Sequence, residues 1–172
     1  YTGTRLAWRA RDLGWEVVGT TRSRETAAAL REAGAIPTEW EAEGGDDETL
    51  ATHLEDTDAV IYSVPTLYRD WEDVEGPDRH VEPVARVLDM SIAADVERFV
   101  YLSSTSVYGG HDGAWVDEET PTNPSSPFGK MRRDIEEWVL SRGEEIAANV
   151  ARLVGIYGPG RTLLKYMRSG RY

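Results

Sequence analysis

The sequence predicts a doubly wound α/β fold, in which helices cover both faces of a parallel sheet. Short apolar runs of strand length alternate along the chain with stretches of helical periodicity, as parallel strands and crossover helices do. The 172 residues, 40% of them hydrophobic, are enough for one domain with a sizeable core. There is no cysteine and no apolar run of membrane-spanning length. We therefore expect a soluble, cytoplasmic protein without membrane contact.

In the first part of the chain, apolar spacing and glycines define the elements. Leu6, Ala10 and Leu13 recur at helical spacing, which predicts a helix over 4–13, and Gly14 is placed to end it. The elements expected next are a strand over 16–21, a helix over 24–34, a strand over 35–40 and a helix over 47–55. Strand and helix thus alternate, as a parallel sheet requires.

The second part continues the same alternation. Apolar residues recur at helical spacing from Val81 to Ile92, which predicts a long amphipathic helix over 79–94. An acidic loop over 65–79 precedes it, and Trp71 in this loop is a candidate to cover a ligand. The other expected elements are strands over 58–64, 98–104 and 148–154, a polar loop reaching 126, and a helix over 127–142.

Both ends of the sequence suggest a longer polypeptide. The chain opens on Tyr1 and enters a helix at once, without the strand that would precede this helix in a parallel sheet. It stops soon after the last expected strand, before any region that would cover a substrate. We therefore expect 1–172 to be a single domain that lacks its first strand and its C-terminal substrate region. The first strand is expected because a parallel sheet missing its central strand would not fold well.

The charge of the chain argues against nucleic-acid binding. The net charge is −12, with 17 Arg and only two Lys among the basic residues. An acidic surface repels phosphate backbones, and the sequence shows no basic patch to offset this. The acid excess and the scarcity of Lys leave two explanations open, adaptation to high salt and a preference for arginine codons.

Two segments fit the edge of a dinucleotide-binding crevice. Gly3 opens the first helix, where a small residue allows close packing beside a pyrophosphate at the helix N-terminus. The residues directly after the strand 16–21 are Thr21, Arg22, Ser23 and Arg24. An arginine at this place favours a 2′-phosphate, whereas an acidic residue would favour a 2′-hydroxyl, and no acid precedes Glu25. The segment therefore predicts that NADP(H) is favoured over NAD(H).

Two further motifs carry a family resemblance. A strand ends in a run of hydroxyls in YLSSTSVYGG, 101–110, and SPFGKMRR, 126–133, opens the helix that follows. With ETPTNPSSPFGK before this helix and RLVGIYGPG at 152–160, the chain resembles the extended short-chain dehydrogenase/reductase superfamily, the NAD(P)-dependent epimerase/dehydratase group. The resemblance spans nearly the whole chain and implies a Rossmann-like NAD(P)-binding domain. The YTG helix start and the GTTRS strand end resemble an atypical branch of that superfamily.

The resemblance implies roles for the residues at the end of the strand 98–104 and on the next helix. In the family a Ser or Thr at the strand end holds the substrate oxygen, which corresponds here to Ser104, with Thr105 beside it. The family helix carries Tyr-x-x-x-Lys, in which Tyr is the acid or base and Lys binds the nicotinamide ribose. Here that register reads Phe128 and Arg132, so the phenol is missing and a cation remains.

The missing phenol leaves the proton donor open. Tyr108 and Tyr157 are the phenols whose motifs resemble active-site segments of the family, and Tyr108 is taken as the candidate catalytic group beside Ser104. Tyr157 is expected on the substrate side. Ser63 and Val64 end the strand 58–64 and are expected to bind the cofactor.

One main hypothesis and one alternative follow. The main hypothesis is an NADP(H)-binding epimerase/dehydratase-like or reductase-like protein with an atypical active site, acting on a small polar substrate such as a sugar derivative. The alternative is a non-enzymatic module that binds NADP(H) to sense its redox state. The resemblance also implies a homodimer through the helices 79–94 and 127–142, because family subunits often pair through two helices each.

Two other patterns were weighed and set aside. Residues 155–162 nearly match the phosphate-binding pattern G-x-x-x-x-G-K-[ST], but Arg161 stands where the lysine belongs and no later strand ends in the aspartate that would hold Mg²⁺. The three histidines, His53, His80 and His111, lie far apart in the sequence without metal-ligand spacing and are expected to be surface or packing residues. No metal site is predicted.

Overall fold

The computed structural model describes residues 1–42, 44–65 and 80–168. The strands are β1 (Val18–Thr21), β2 (Ile36–Glu39), β3 (Ala59–Tyr62), β4 (Arg98–Ser104) and β5 (Ala147–Leu153). The helices are α1 (Thr2–Asp12), α2 (Arg24–Glu32), α3 (Asp47–Leu54), α4 (Glu82–Ala93), α5 (Pro127–Ser141) and α6 (Leu163–Arg168). The alternation predicted from the sequence is confirmed, and the fold is a mixed α/β fold with parallel strands.

Local signals explain where the helices begin and end. The hydroxyls of Ser23 and Ser126 accept hydrogen bonds from the first turns of α2 and α5, and the Asp46 carboxylate does the same for α3. Gly14 follows α1 with φ of 86°, a conformation that costs other residues energy, so the predicted helix end is confirmed.

The described strands form two parallel sheets. β1 pairs with β2, placing Thr21 opposite Glu39. β4 lies between β3 and β5, and its pairing with β5 runs from Arg98 to Ser104. Because all strands within a sheet run the same way, their carboxyl ends lie at one edge.

Two apolar clusters stabilise these sheets. The larger lies among β3, β4 and the helices α3, α4 and α5, and its fully buried members include Leu88, Phe99 and Val139. The smaller joins α1 and α2 through Ala7 and Leu30. The larger cluster therefore packs β4 and α5 together through Phe99, Tyr101, Ile135 and Val139.

Several features lie beyond the sequence predictions. Short 3-10 turns cover Thr105–Val107 and His111–Gly113 within the loop that was expected to be irregular. The loop over 65–79, with Trp71, lies outside the described residues apart from its first residue, and so does the expected helix start at 79. Of the helices in the described ranges, none is long and apolar enough to cross a membrane.

Candidate functional site

A cleft of about 240 Å³ lies at the carboxyl ends of β1, β2 and β3. Its wall includes Thr21, Arg22, Trp40, Glu41, Ser63 and His80. All of these except His80, which precedes α4, lie at or just after strand ends, which parallel pairing brings to one edge of the sheets. We call the part formed by Thr21, Arg22, Trp40, Glu41 and Ser63 the adenosine side, because the sequence places a dinucleotide's adenosine there.

The start of α1 lies against the end of β3. A Cβ added to Gly3 would lie 3.4 Å from the Ser63 hydroxyl oxygen, so any side chain at this position would narrow the space between helix and strand. The first turn of α1 contains no acidic residue, and no side chain in the described part of the chain caps it. The N–H groups of this turn are therefore available to an anion.

The four residues of the segment 21–24 differ in placement. The Thr21 hydroxyl accepts a hydrogen bond from the Ser23 N–H at 3.1 Å, and the Ser23 hydroxyl caps α2. Thr21 and Arg22 line the cleft, as do Ser63 and Val64. Arg24 is exposed as the first residue of α2. Only part of the predicted cofactor segment thus faces the cleft.

Glu41 is a cleft residue that the sequence reasoning missed. Its carboxylate accepts a hydrogen bond from the Arg22 guanidinium at 3.2 Å, and the two form an ion pair. The segment after β1 holds no acid before Glu25, whereas Glu41 follows the neighbouring strand β2. Parallel pairing of β1 with β2 was the signal that could have suggested it.

Arg86 of α4 holds the loop that carries Glu41. Its guanidinium donates hydrogen bonds to the Ala42 and Gly45 carbonyl oxygens and pairs with the Asp47 carboxylate. It also lies over the Trp40 ring, with 5.7 Å between the guanidinium carbon and the ring centroid. One side chain from another element therefore holds Trp40, Ala42, Gly45 and Asp47.

His80 is a second residue that the sequence reasoning undervalued. It lines the cleft and is only 7% exposed, so the expectation of a surface or packing residue describes it incompletely. Its Nε2 lies 3.4 Å from an Asp134 carboxylate oxygen of α5, without the alignment of a hydrogen bond. Among the described residues no group of His, Asp and Glu could hold a metal ion.

A second set of predicted residues lies at the end of β4 and the start of α5; we call Ser104, Tyr108, Phe128 and Arg132 the β4–α5 region. The Ser104 hydroxyl oxygen accepts a hydrogen bond from the Ser106 N–H at 3.2 Å. A hydroxyl that accepts this bond still has its own proton to donate. Ser104 and the neighbouring Thr105 are half-buried.

The Tyr108 hydroxyl donates one hydrogen bond and accepts another. It donates to the Asp117 carbonyl oxygen and accepts from the Arg152 guanidinium, each at 2.7 Å, and Tyr108 is 5% exposed. Its single proton is thus committed to a backbone carbonyl. This arrangement favours a positioning role for Tyr108 over proton transfer.

Arg152 connects Tyr108 to a buried carboxylate. Arg152 of β5 donates two hydrogen bonds, at 2.9 and 3.0 Å, to one oxygen of Glu136, which is 1% exposed. Partial burial opposes the charged guanidinium, but the hydrogen bonds to Glu136 and Tyr108 together outweigh it, so the pKa of Arg152 is raised. The network joins α5, β5 and the turn after β4.

The remaining predicted residues, Phe128, Arg132 and Tyr157, differ in how exposed their side chains are. Phe128 is 39% exposed, whereas the next residue, Gly129, is buried. Arg132 of α5 is half-buried, and its guanidinium makes no hydrogen bond or ion pair with another described residue. Tyr157 is 75% exposed. None of these three residues lines the cleft, which β4 and α5 reach through Tyr101 and Ile135.

Comparison with known sequences finds longer relatives. A family model described as the NAD dependent epimerase/dehydratase family matches residues 1–169. Protein YeeZ of Escherichia coli K12 is 29% identical over 163 residues, which are 94% of this chain and 57% of YeeZ. The uncharacterized UDP-glucose epimerase YtcB of Bacillus subtilis is 28% identical over 116 residues, 64% of this chain and 36% of that protein. The chain thus spans little more than half of one relative and about a third of the other.

Solved structures with the same fold are also longer. A functionally unknown conserved protein from Silicibacter pomeroyi is 32% identical, with a TM-score of 0.72 over 97% of this chain and 54% of that one. UDP-glucuronic acid 4-epimerase from Bacillus cereus, solved with NAD, is 21% identical with a TM-score of 0.74, over 97% of this chain and 60% of that one. At that identity the epimerase likeness shows the fold alone.

Proposed function

Because the chain belongs to the NAD-dependent epimerase/dehydratase family, we propose that it binds NADP(H) in the cleft and acts on a small polar substrate such as a sugar derivative. The observation that carries the proposal is the placement of Arg22 on the cleft wall, directly after β1. A planar guanidinium at this place suits a 2′-phosphate. Epimerases of sugar nucleotides among the matched proteins support the substrate class.

The residues present fit a dinucleotide. Gly3 leaves room between α1 and Ser63, and the uncapped first turn of α1 offers N–H groups to a pyrophosphate. Arg22 would bind the adenosine phosphate, and Thr21 and Val64 would contact the adenosine from the wall. Ser23 would act indirectly, because its N–H donates a hydrogen bond to the Thr21 hydroxyl and so positions Thr21. Arg24 would serve as a second cation near the phosphate.

In this proposal the chain's own residues orient the reacting groups. A bound nicotinamide cofactor supplies hydride transfer. Ser104 holds the substrate oxygen with its free hydroxyl proton, and Thr105 and Tyr157 lie on the substrate side. Arg132, which has no partner among the described residues, binds the nicotinamide ribose with its guanidinium.

The active site is atypical in its proton transfer. Phe128 cannot carry a proton, and the Tyr108 hydroxyl donates to Asp117. This observation favours a second candidate function, a non-enzymatic module that binds NADP(H) and reports its redox state. Turnover separates the two, because a pure sensor binds NADPH but does not consume it with any carbonyl substrate.

The test of the proposed function is calorimetric titration of the full-length protein with NADPH and with NADH. Replacing Arg22→Ala should weaken NADPH binding by about 10- to 100-fold, since it removes a charge-assisted hydrogen bond to phosphate, and should affect NADH much less. Arg31→Ala is the matched control, because Arg31 is exposed at the far end of α2. If the wild-type protein binds neither dinucleotide, the proposal is wrong.

We also propose that two subunits pair through α4 and α5. Leu140 of α5 is 49% exposed, an apolar side chain that a second subunit would cover. Light scattering of the full-length protein checks this, and a mass of one subunit would contradict it.

A further inference from the structure

We propose that Glu41 sets the choice between NAD(H) and NADP(H) by competing with the 2′-phosphate for Arg22. The inference deepens the proposed function and rests on it, since it needs a dinucleotide in the cleft. It assigns a specificity-determining role to a residue outside the segment 21–24, on the neighbouring strand end.

The sheet brings Glu41 and Arg22 together. β1 and β2 run parallel with Thr21 opposite Glu39, so both strands end at the same level. The Trp40 N–H donates to the Thr21 carbonyl oxygen at 3.3 Å, which extends the pairing by one residue. Arg22 and Glu41 therefore leave the sheet side by side, and their side chains meet at 3.2 Å on the cleft wall.

Glu41 is fixed in this position by its neighbours. Trp40, on one side of it, is 6% exposed. On the other side, the Ala42 and Gly45 carbonyl oxygens accept hydrogen bonds from Arg86 of α4. Because the backbone is held on both sides, the Glu41 backbone stays beside Arg22 when a ligand enters. A bound ribose would therefore have both the cation and the anion beside it.

NADP(H) and NAD(H) would each be bound by a different member of the Arg22–Glu41 pair. A 2′-phosphate needs the Arg22 guanidinium and is repelled by the Glu41 carboxylate a few ångströms away. A 2′-hydroxyl can donate a hydrogen bond to the carboxylate, as acidic residues do for NAD(H) at this part of the fold. Arg22 and Glu41 side chains are 56% and 48% exposed, so their ion pair is weak and a ligand can replace it. Glu41 thus opposes NADP(H) and favours NAD(H).

The experiment compares the affinities of the full-length wild type and Glu41→Gln for NADPH and NADH by calorimetric titration. Glutamine keeps the approximate shape of the Glu41 side chain and removes its negative charge. We expect tighter NADPH binding and weaker NADH binding, so that the ratio of the two affinities shifts by about 10-fold toward NADPH, as for one charge-assisted hydrogen bond partly screened by solvent. Glu39→Gln is the matched control, because Glu39 is exposed on β2 outside the cleft lining.

The control and a double variant make the result specific. With Glu39→Gln we expect the ratio to stay within about twofold of wild type, since only the net charge changes. In an Arg22→Ala background the gain in NADPH affinity from Glu41→Gln should shrink, because the freed guanidinium is no longer there. Thermal unfolding of each variant verifies that the fold persists.

The outcomes separate this inference from the proposed function. If the wild type binds a dinucleotide and Glu41→Gln leaves the ratio unchanged, or shifts it no more than Glu39→Gln does, the role of Glu41 is refuted while the proposed function stands. If the wild type binds neither dinucleotide, the proposed function fails and this inference fails with it.

Discussion

The adenosine side and the β4–α5 region use their polar groups in opposite ways. On the adenosine side, Arg22 and Glu41 lie half-exposed on the cleft wall, and their ion pair can be exchanged for a ligand. In the β4–α5 region, Tyr108 is buried and engaged with Arg152, which also pairs with the buried Glu136 of α5. The ion pair on the cleft wall can thus be exchanged for a ligand, whereas the network of Tyr108, Arg152 and Glu136 holds its own elements together.

The difference shows how tertiary contacts determine which polar groups remain available to a ligand. The Tyr108 hydroxyl is engaged by Asp117 and Arg152, which favours a positioning role over proton transfer. In the sequence register of the family motif, Phe128 and Arg132 stand at the positions of Tyr and Lys. Three variants test whether the two regions differ as described.

The largest expected effect is on stability, from Glu136→Leu. This change leaves the Arg152 guanidinium without its carboxylate partner, and we expect a loss of about 3–5 kcal/mol in the free energy of unfolding. Urea denaturation of the full-length protein measures it. Replacing both partners, Glu136→Leu with Arg152→Met, should recover a large part of the loss, because no charge is then buried alone. A loss below about 1 kcal/mol for the single change would contradict the structural role of the network.

A smaller effect is expected from Gly129→Ala, which tests how closely α5 packs on the turn after β4. An added Cβ would lie 2.7 Å from the Ser106 carbonyl oxygen and 2.8 Å from the Pro124 Cβ. We expect a loss of about 1–3 kcal/mol from overpacking, although alanine is the better helix former. Gly110→Ala is the control, since a Cβ there meets no atom within 4 Å. Equal stability of the two variants in urea would show that the contact is looser than described.

The smallest effect concerns pH and the cap of α3, the helix that follows the adenosine-side residue Glu41. Hydrogen bonds from the Thr49 hydroxyl and from the Thr49 and Glu48 N–H groups lower the pKa of Asp46 from its ordinary 3.8. A group with a lowered folded pKa stabilises the protein above its unfolded pKa and loses this contribution as pH falls through the folded value. The advantage of wild type over Asp46→Asn in thermal unfolding should therefore be present at pH 7 and shrink below about pH 3.8. An advantage independent of pH would contradict a role for the charge.

Regular elements were predictable where local patterns are strong. The strand 98–104 was predicted with its observed bounds and the helix 127–142 to within one residue. Both have uninterrupted periodicity and clear boundary signals, a serine cap for the helix and polar residues beyond the strand. Shorter strands, such as β3, were predicted too long at both ends, because pairing partners and not composition determine where a strand stops.

The site was predictable in part. Thr21, Arg22, Ser63 and Val64 line the cleft because each follows a strand end, and strand ends can be located from the sequence. Glu41 and His80 could not be singled out in this way. Glu41 lies in an acidic stretch that resembles a solvated loop, and His80 lies beside no recognisable motif.

The sequence by itself determined the order of strands and helices, the caps that end them and the family, because these depend on residues that are neighbours along the chain. Only the tertiary structure decided that Arg22 meets Glu41 and that the Tyr108 hydroxyl is engaged by Arg152 and Asp117. Those partners lie 9 to 44 residues apart in the sequence and come together only through strand pairing and packing. The free energy of such a contact depends on distance and burial, which no local pattern specifies.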